Sequence, residues 1–268
     1  MPRPTEAANA AITDAAGLAR VAASVVEEAG RLVLDARSSA RTHVATKSTG
    51  TDMVTEVDRA SEALIGRLLA ERRPGDGLIA EEGTDVAAST GVVWIADPLD
   101  GTTNFLYGFP SFDVSLAAQV DGTVVAAAVR DPLHGETFTA WAGGGAWCNG
   151  RRLHVGGPPS LATALVGTGF SYDPAHRALQ GGLVAHVLPR VRDIRRAGAA
   201  ALDLCWVALG RLDAFYESGL ALWDWAGGSL VAAEAGARTG QLDDGTYVAA
   251  PPHLYEPLVE LLLSAPLP

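Results

Sequence analysis

A chain of 268 residues, 48% of them hydrophobic, is long enough for one large core or two tightly joined lobes. Its net charge of -11 argues against a protein that chiefly grips nucleic acid, because that task rests on clustered Lys and Arg neutralising phosphates. The alanine-rich N-terminal stretch is broken by Glu6, Asp14, Arg20 and Glu27. It therefore holds neither a signal-peptide apolar region nor a membrane span, and a cytoplasmic location is the expectation.

From Thr5 to about Ala36 the spacing predicts a long amphipathic helix, with Ile12, Ala16, Ala19, Ala23, Val26, Gly30 and Val33 along one stripe. The polar segment Lys47 to Asp58 is turn-rich and leads into a second helix that Asp58 could cap, with Ala60, Leu64 and Leu68 on its apolar side. Lys47 is the only lysine in the chain, and a compact ammonium suits a phosphate or an acidic cluster. Pro74-Gly75-Asp76-Gly77 ends that helix, and the short strand Leu78-Ile79-Ala80 delivers Glu81 and Glu82 at its end. Strand ends are where open sheets hold ligands.

The apolar run Val92-Val93-Trp94-Ile95 is too short for a helix and right for a buried strand. It runs into Asp97-Pro98-Leu99-Asp100-Gly101-Thr102-Thr103, where Pro98 fixes φ and Gly101 permits unusual backbone, so Asp97 and Asp100 can converge on one point. Thr102 and Thr103 are good residues for opening a helix, whose free N–H groups suit an anion. Two readings stand here: an Asp-Pro/Asp-Gly turn with solvated acids, or paired carboxylates compensated by a hard cation such as Mg²⁺, Mn²⁺ or Ca²⁺.

Between Val114 and His154, strand runs alternate with the turns Asp121-Gly122, Asp131-Pro132 and Asn149-Gly150, which reads as an antiparallel meander. Gly143-Gly144-Gly145 inside it lacks the Gly-Lys-Ser/Thr ending of a phosphate loop. Gly156-Gly157-Pro158-Pro159 marks a lobe boundary, giving one catalytic domain over residues 1–268 with an N-terminal α+β lobe to about 155 and a C-terminal α/β lobe from about 156. Beyond it come a strand at Ala164–Gly167, helices from Pro174 to about Val191 and over Ala200–Leu209, a strand at Asp213–Glu217 and a helix over Asp224–Gly236. Asp224, flanked by Trp223 and Trp225, taken alone reads as an N-cap before a ligand. Cys148 and Cys205, with no CxxC spacing, read as buried thiols. The six histidines show no HExxH spacing, so zinc or Ser-His-Asp hydrolysis has little support.

Asp97-Pro98-Leu99-Asp100-Gly101-Thr102, the Glu81-Glu82 pair, Lys47 through Asp58, Trp223-Asp224 leading to Glu234-Ala235-Gly236, the Gly145–Gly150 hairpin and Arg196–Ala200 together resemble the inositol monophosphatase family. The resemblance implies an α+β fold layered α-β-α-β-α, of the inositol monophosphatase and fructose-1,6-bisphosphatase type, commonly a homodimer. It implies two to three Mg²⁺ per site: Glu81, Asp97 and the Leu99 carbonyl hold the first, Asp97, Asp100 and Asp224 the second, and Glu81 with water and substrate a weaker third. Gly101 and Thr102 would seat the phosphate through backbone N–H groups, and Thr102, Asp58 and Glu81 would take the proton of the attacking water. Lys47, Asp52 and Thr55 would stand behind the ligands.

Family positions matching Gly198, Ala200 and Glu217, with Asp100 and Asp224, line the sugar-alcohol side of the pocket. A carboxylate at 217 can accept hydrogen bonds from ring hydroxyls, which discriminates strongly and favours myo-inositol 1-phosphate as a small-molecule phosphate monoester. The alternatives are a histidinol-phosphate or other sugar phosphatase of the same superfamily, although the histidinol-phosphate branch tends to carry Lys where Thr103 stands. An RNA- or transcription-associated regulator is the non-enzymatic alternative, and the acidic balance argues against it.

Overall fold

Strands buried on both faces should lose the two-residue alternation of half-exposed sheets, and the centre of this molecule does. The computed structural model describes residues 14–37, 44–46 and 53–266, with backbone alone at 44–46 and 53–55. Helix α1 (Ala15–Ala36), the short antiparallel pair β1 (Val44–Thr46) and β2 (Met53–Thr55), and helix α2 (Glu56–Arg72) come first. Then follow β3 (Gly77–Ala80), β4 (Asp85–Val86), β5 (Val92–Asp100) and the short helix α3 (Thr102–Tyr107). The predicted meander is β6 (Asp113–Val120), β7 (Thr123–Asp131), β8 (Glu136–Trp141), β9 (Gly145–Cys148) and β10 (Arg151–Arg152). These eight strands from β3 onward form one sheet in the order β10-β9-β8-β7-β6-β5-β3-β4, in which only β3 and β5 run parallel.

The second half alternates β11 (Leu165–Thr168), α4 (Pro174–Val187), β12 (Asp193–Arg195), α5 (Ala200–Leu209), β13 (Ala214–Ser218), α6 (Leu222–Glu234), β14 (Arg238–Gln241), β15 (Thr246–Ala250) and α7 (Pro252–Leu263). Its strands pair as β12-β11-β13-β15-β14. Helices α1 and α2 cover the outer face of the large sheet, α5 and α6 lie between the sheets, and α4 and α7 cover the far side, so the layers read α-β-α-β-α. Alanines make this possible. Ala118, Ala126 and Ala128 pack toward α1 while Ala117 and Ala127 pack toward Ala226 of α6, so one strand pair serves two cores at close interlayer distance. Among the described residues no helix is long and apolar enough to cross a membrane.

Several sequence expectations need correction. The buried face of α1 includes Ala19, Val26, Gly30 and Val33 of the expected stripe together with Leu18, Ala22, Val25 and Ala29, while Ala16 and Ala23 are only half-buried; in an alanine-rich helix the faces differ too little for the pattern to fix the stripe's edges. Ile12 lies outside the described residues. Helix α2 begins at Glu56, which puts Asp58 in its first turn and not at its cap, and its inward face is Asp58, Ser61, Ile65 and Leu68, leaving Ala60 exposed and Leu64 half-buried. The helix from Pro174 ends at Val187, where Pro189 forces a 3₁₀ turn over Leu188–Arg190. The Gly156–Pro159 segment connects the two sheets.

Candidate active site

The Asp97–Asp100 stretch is not a turn after the strand but part of it. β5 pairs with β6 through Asp97↔Ser115 and resumes at Asp100↔Asp113, so Pro98 and Leu99 together oppose Val114 alone. Two strand residues an odd number apart face opposite sides, and the one-residue bulge cancels that, turning Asp97 and Asp100 into the same cleft. Pro98 has no N–H to donate to the ladder, and the Leu99 N–H bonds instead to Asp97 Oδ1 at 3.0 Å. Ser61 of α2 donates to the Pro98 carbonyl at 2.8 Å. Gly101 then turns the chain into α3 at φ 83°, where a Cβ would lie 2.9 Å from the Ser111 carbonyl oxygen and 3.2 Å from that of Gly198, so only glycine fits.

Around this bulge gathers a cleft of about 540 Å³, mouth included, lined by Glu81, Asp97, the Leu99 backbone, Asp100, Gly101, Thr102 and Asp224 on one wall. Glu81 comes from the end of β3 and Asp224 from the first turn of α6. Asp224 does serve its helix, but from the third position: its Oδ2 accepts from the N–H of Ala221, which has no side-chain oxygen of its own, at 2.6 Å. Asp100 Oδ2 accepts from the Ala201 N–H at the start of α5 at 2.9 Å. Thr102 Oγ1 lies 2.9 Å from Asp58 Oδ1 and 3.1 Å from the Leu99 carbonyl; with one proton it donates to one of them at a time. Asp58 itself is fully buried behind Thr102.

A second wall carries Gly198, Ala200 and Glu217, joined by Phe170, Tyr172, Arg196 and Leu220, and it adjoins the first where Gly101 lies close to the Gly198 carbonyl. Asn104 of α3 ties the walls together, its Nδ2 donating to the carbonyls of Ser111 at 2.7 Å and Ala197 at 2.7 Å, with Gly198 O at 3.2 Å. Lys47 and Asp52 lie outside the described residues; Thr55 ends β2, which runs beside α3, and its side chain is not described.

Burial dominates the electrostatics. Asp97 is held well above the ordinary carboxylate range, first by desolvation and then by the charges of Glu81, Asp100 and Asp224. Asp224 is raised for the same reasons, burial first and Asp100 next. Asp100 is pushed up to about 6 by burial, which the Ala201 N–H partly opposes. Glu217 reaches about 8, again through burial, with Arg196 pulling the other way. Asp113 and Asp203, buried just behind the wall, are raised too, by burial first. Among the described residues no three His, Cys, Asp or Glu side chains are drawn into a ready-made metal cage, so the acids share a field and a cleft. Four carboxylates and a backbone carbonyl, with no thiol or imidazole among the described lining residues, form a hard-oxygen donor set of the kind Mg²⁺ takes, and a cation is what would reverse the rise of the three buried acids.

Sequence reasoning did not single out Ser61, Asn104, Phe170, Tyr172 or Leu220, and used Arg196 only as part of a motif. Asn104 directly follows the Asp-Gly-Thr-Thr run, immediately before the apolar Phe105-Leu106, a position that could have singled it out. The others carry none outside the fold.

A family model described as the inositol monophosphatase family matches residues 14–262. A Mycobacterium bovis protein named inositol-1-monophosphatase is 50% identical over 204 residues, 73% of this chain and 70% of that protein. A Pseudomonas aeruginosa protein named Nus factor SuhB is 46% identical over 193 residues, 69% of this chain and 70% of that protein. The crystal structure of the extragenic suppressor protein suhB from Bartonella henselae superposes with a TM-score of 0.88 at 34% identity, covering 93% of this chain and all of that one.

Proposed function

Because this chain belongs to the inositol monophosphatase family, we propose that it is a Mg²⁺-dependent phosphatase that hydrolyses myo-inositol 1-phosphate to myo-inositol and phosphate. The observation that carries this reading is the convergence of Glu81, Asp97, Asp100 and Asp224 on one wall of a cleft whose other wall presents Glu217. Both halves of the chain supply residues, so we read it as one catalytic unit, and the family resemblance implies a homodimer.

Mg²⁺ would be held by Glu81, Asp97, the Leu99 carbonyl, Asp100 and Asp224, where it would neutralise the acids, acidify water and stabilise the leaving oxygen. The substrate phosphate would rest against the N–H groups of Gly101 and Thr102. When Thr102 Oγ1 donates to Asp58, its lone pairs remain open to the proton of a water aligned opposite the ester oxygen, and Glu81 lines the same wall as a further acceptor. The water oxygen bonds to phosphorus as the ester P–O bond breaks, and the inositol oxygen leaves as the hydroxyl with a proton from a second water, while the proton taken at Thr102 returns to solvent. Glu217 would accept hydrogen bonds from ring hydroxyls, with Gly198 and Ala200 leaving room for the ring.

A phosphate-release panel over inositol 1-phosphate, histidinol phosphate, fructose 1,6-bisphosphate and adenosine 3′,5′-bisphosphate tests this. Inositol 1-phosphate should be preferred, with release dependent on Mg²⁺, lost on chelation and inhibited by lithium. No release from any sugar-alcohol phosphate would end the catalytic reading. The relative named as a Nus factor favours a second reading, a transcription-associated regulator, which that outcome would leave standing.

A further inference from the structure

Gln180, on α4, is buried and is not among the residues that line the acid cleft. Its Oε1 accepts from the Ser171 N–H at 2.7 Å, and its Nε2 lies 3.1 Å from both the carbonyl and the hydroxyl of Ser218. Those two partners belong to different segments of the pocket lining. Ser171 sits between Phe170 and Tyr172, which line the cleft, and Ser218 directly follows Glu217 at the end of β13. One uncharged amide thus spends its acceptor on the loop and its donors on the strand end.

The loop it holds is also met by Arg177, whose Nη2 donates to the Tyr172 carbonyl at 3.4 Å, and by Arg196, whose guanidinium lies 5.9 Å from the centre of the Phe170 ring. It leaves β11 at Thr168 and enters α4 through Asp173, whose carboxylate caps the helix by accepting from Ala175 N at 3.3 Å and His176 N at 3.1 Å. Ser171 Oγ accepts from Asp173 N at 3.1 Å, a bond internal to the loop. The loop also forms the surface on which the proposed specificity carboxylate rests. A Cβ on Gly169 would lie 2.0 Å from Glu217 Oε2, so the carboxylate lies against bare backbone there. Outward displacement of this loop changes both the Phe170–Tyr172 wall and the support of Glu217.

We propose that Gln180 is a positioning residue for substrate specificity: by tying the Phe170–Tyr172 loop to the strand end that bears Glu217, it fixes the gap into which the polyol part of a phosphate monoester fits. The inference rests on the polyol phosphatase reading above. Residue chemistry explains why an amide stands here. A thioether or alkyl side chain would leave the Ser171 N–H and the Ser218 carbonyl without this partner, and a carboxylate could take only the first of them.

Gln180→Met preserves length and volume while removing all three contacts. Steady-state kinetics on inositol 1-phosphate and on p-nitrophenyl phosphate, which has no ring hydroxyl to place, read the effect. The KM for inositol 1-phosphate should rise about tenfold with kcat within about twofold, and p-nitrophenyl phosphate kinetics should change less than about twofold, because only alignment of the polyol is disturbed. Equal losses on both substrates, or an unchanged ratio, overturn the proposal. Gln180→Glu, which keeps the acceptor for Ser171 and loses the donors to Ser218, should fall between wild type and Gln180→Met, and it decides by the same ratio if Gln180→Met fails to fold in a thermal melt. Wild type separates the two readings: without a preference for inositol 1-phosphate the substrate assignment fails, and the Gln180 ratio is then taken on the polyol phosphate that wild type does prefer. A preference present in wild type and untouched in both variants removes the role of Gln180 alone.

Discussion

Where β5 meets α3, Asp97, Asp100, Gly101 and Thr102 reach the cleft from six consecutive residues, whereas the adjoining wall draws Phe170, Gly198, Ala200 and Glu217 from a loop, a helix entry and a strand end far apart in the chain. The first wall has a short-range centre, to which Glu81 and Asp224 come from distant elements, and is dense in like charge. The second is long-range, carries one carboxyl and one guanidinium, and is held by hydrogen bonds from Gln180 and Asn104. The contrast marks a division of labour: covalent proximity fixes the centre of the set that would face the reacting phosphorus, with Glu81 and Asp224 added by the fold, and tertiary hydrogen bonding fixes the groups that would distinguish one alcohol from another.

The largest test of that division is Asp100→Asn. It leaves an oxygen to accept the Ala201 N–H, so folding should hold, while phosphate release from every substrate should fall by roughly 10³-fold, the scale seen when a preorganised charge is removed. Loss confined to inositol phosphate would break the division. Glu217→Ala is the converse: activity on inositol 1-phosphate should drop by roughly 10- to 100-fold more than on p-nitrophenyl phosphate, and equal losses on both would place Glu217 in the chemistry.

The smallest effect concerns pH. Glu217 sits at about 8 in the fold against an ordinary 4.5, a raised value, so its burial stabilises the folded chain fully below about 4.5 and that contribution is lost as pH rises through about 8. In chelated protein the melting temperature should decline across that window, and Glu217→Gln should flatten the decline by several degrees. An unchanged slope would mean that Asp97, Asp203 and Asp224, raised in the same direction, account for it.

The same contrast governed what could be read from the sequence. The meander and the strand that ends in Asp97 were legible because turn dipeptides and short apolar runs are local signals. The bulge was not: Asp97 to Asp100 was placed at the strand's end with Pro98 fixing φ, and only the pairing of Asp100 with Asp113 across the sheet shows the strand continuing. Asp224 was read as a cap because helix-start statistics are local, and its place in the cleft depends on how α6 lies between the two sheets. Gln180 was invisible, one amide in an alanine- and glycine-rich helix, because its partners at Ser171 and Ser218 come from elements that meet only in the folded chain.

The bulge also bears on how this protein tolerates mutation. Leu99 turns its side chain into the core, where it is almost wholly buried, and its carbonyl toward Thr102 and the cleft. The peptide oxygen is the same whatever amino acid the codon specifies. A saturation library at position 99 should therefore be sorted by apolar volume, while libraries at 97 and 100 are sorted by the presence of a carboxylate. Part of the cleft is in this way written into backbone geometry, where single-nucleotide change reaches it only by way of the fold.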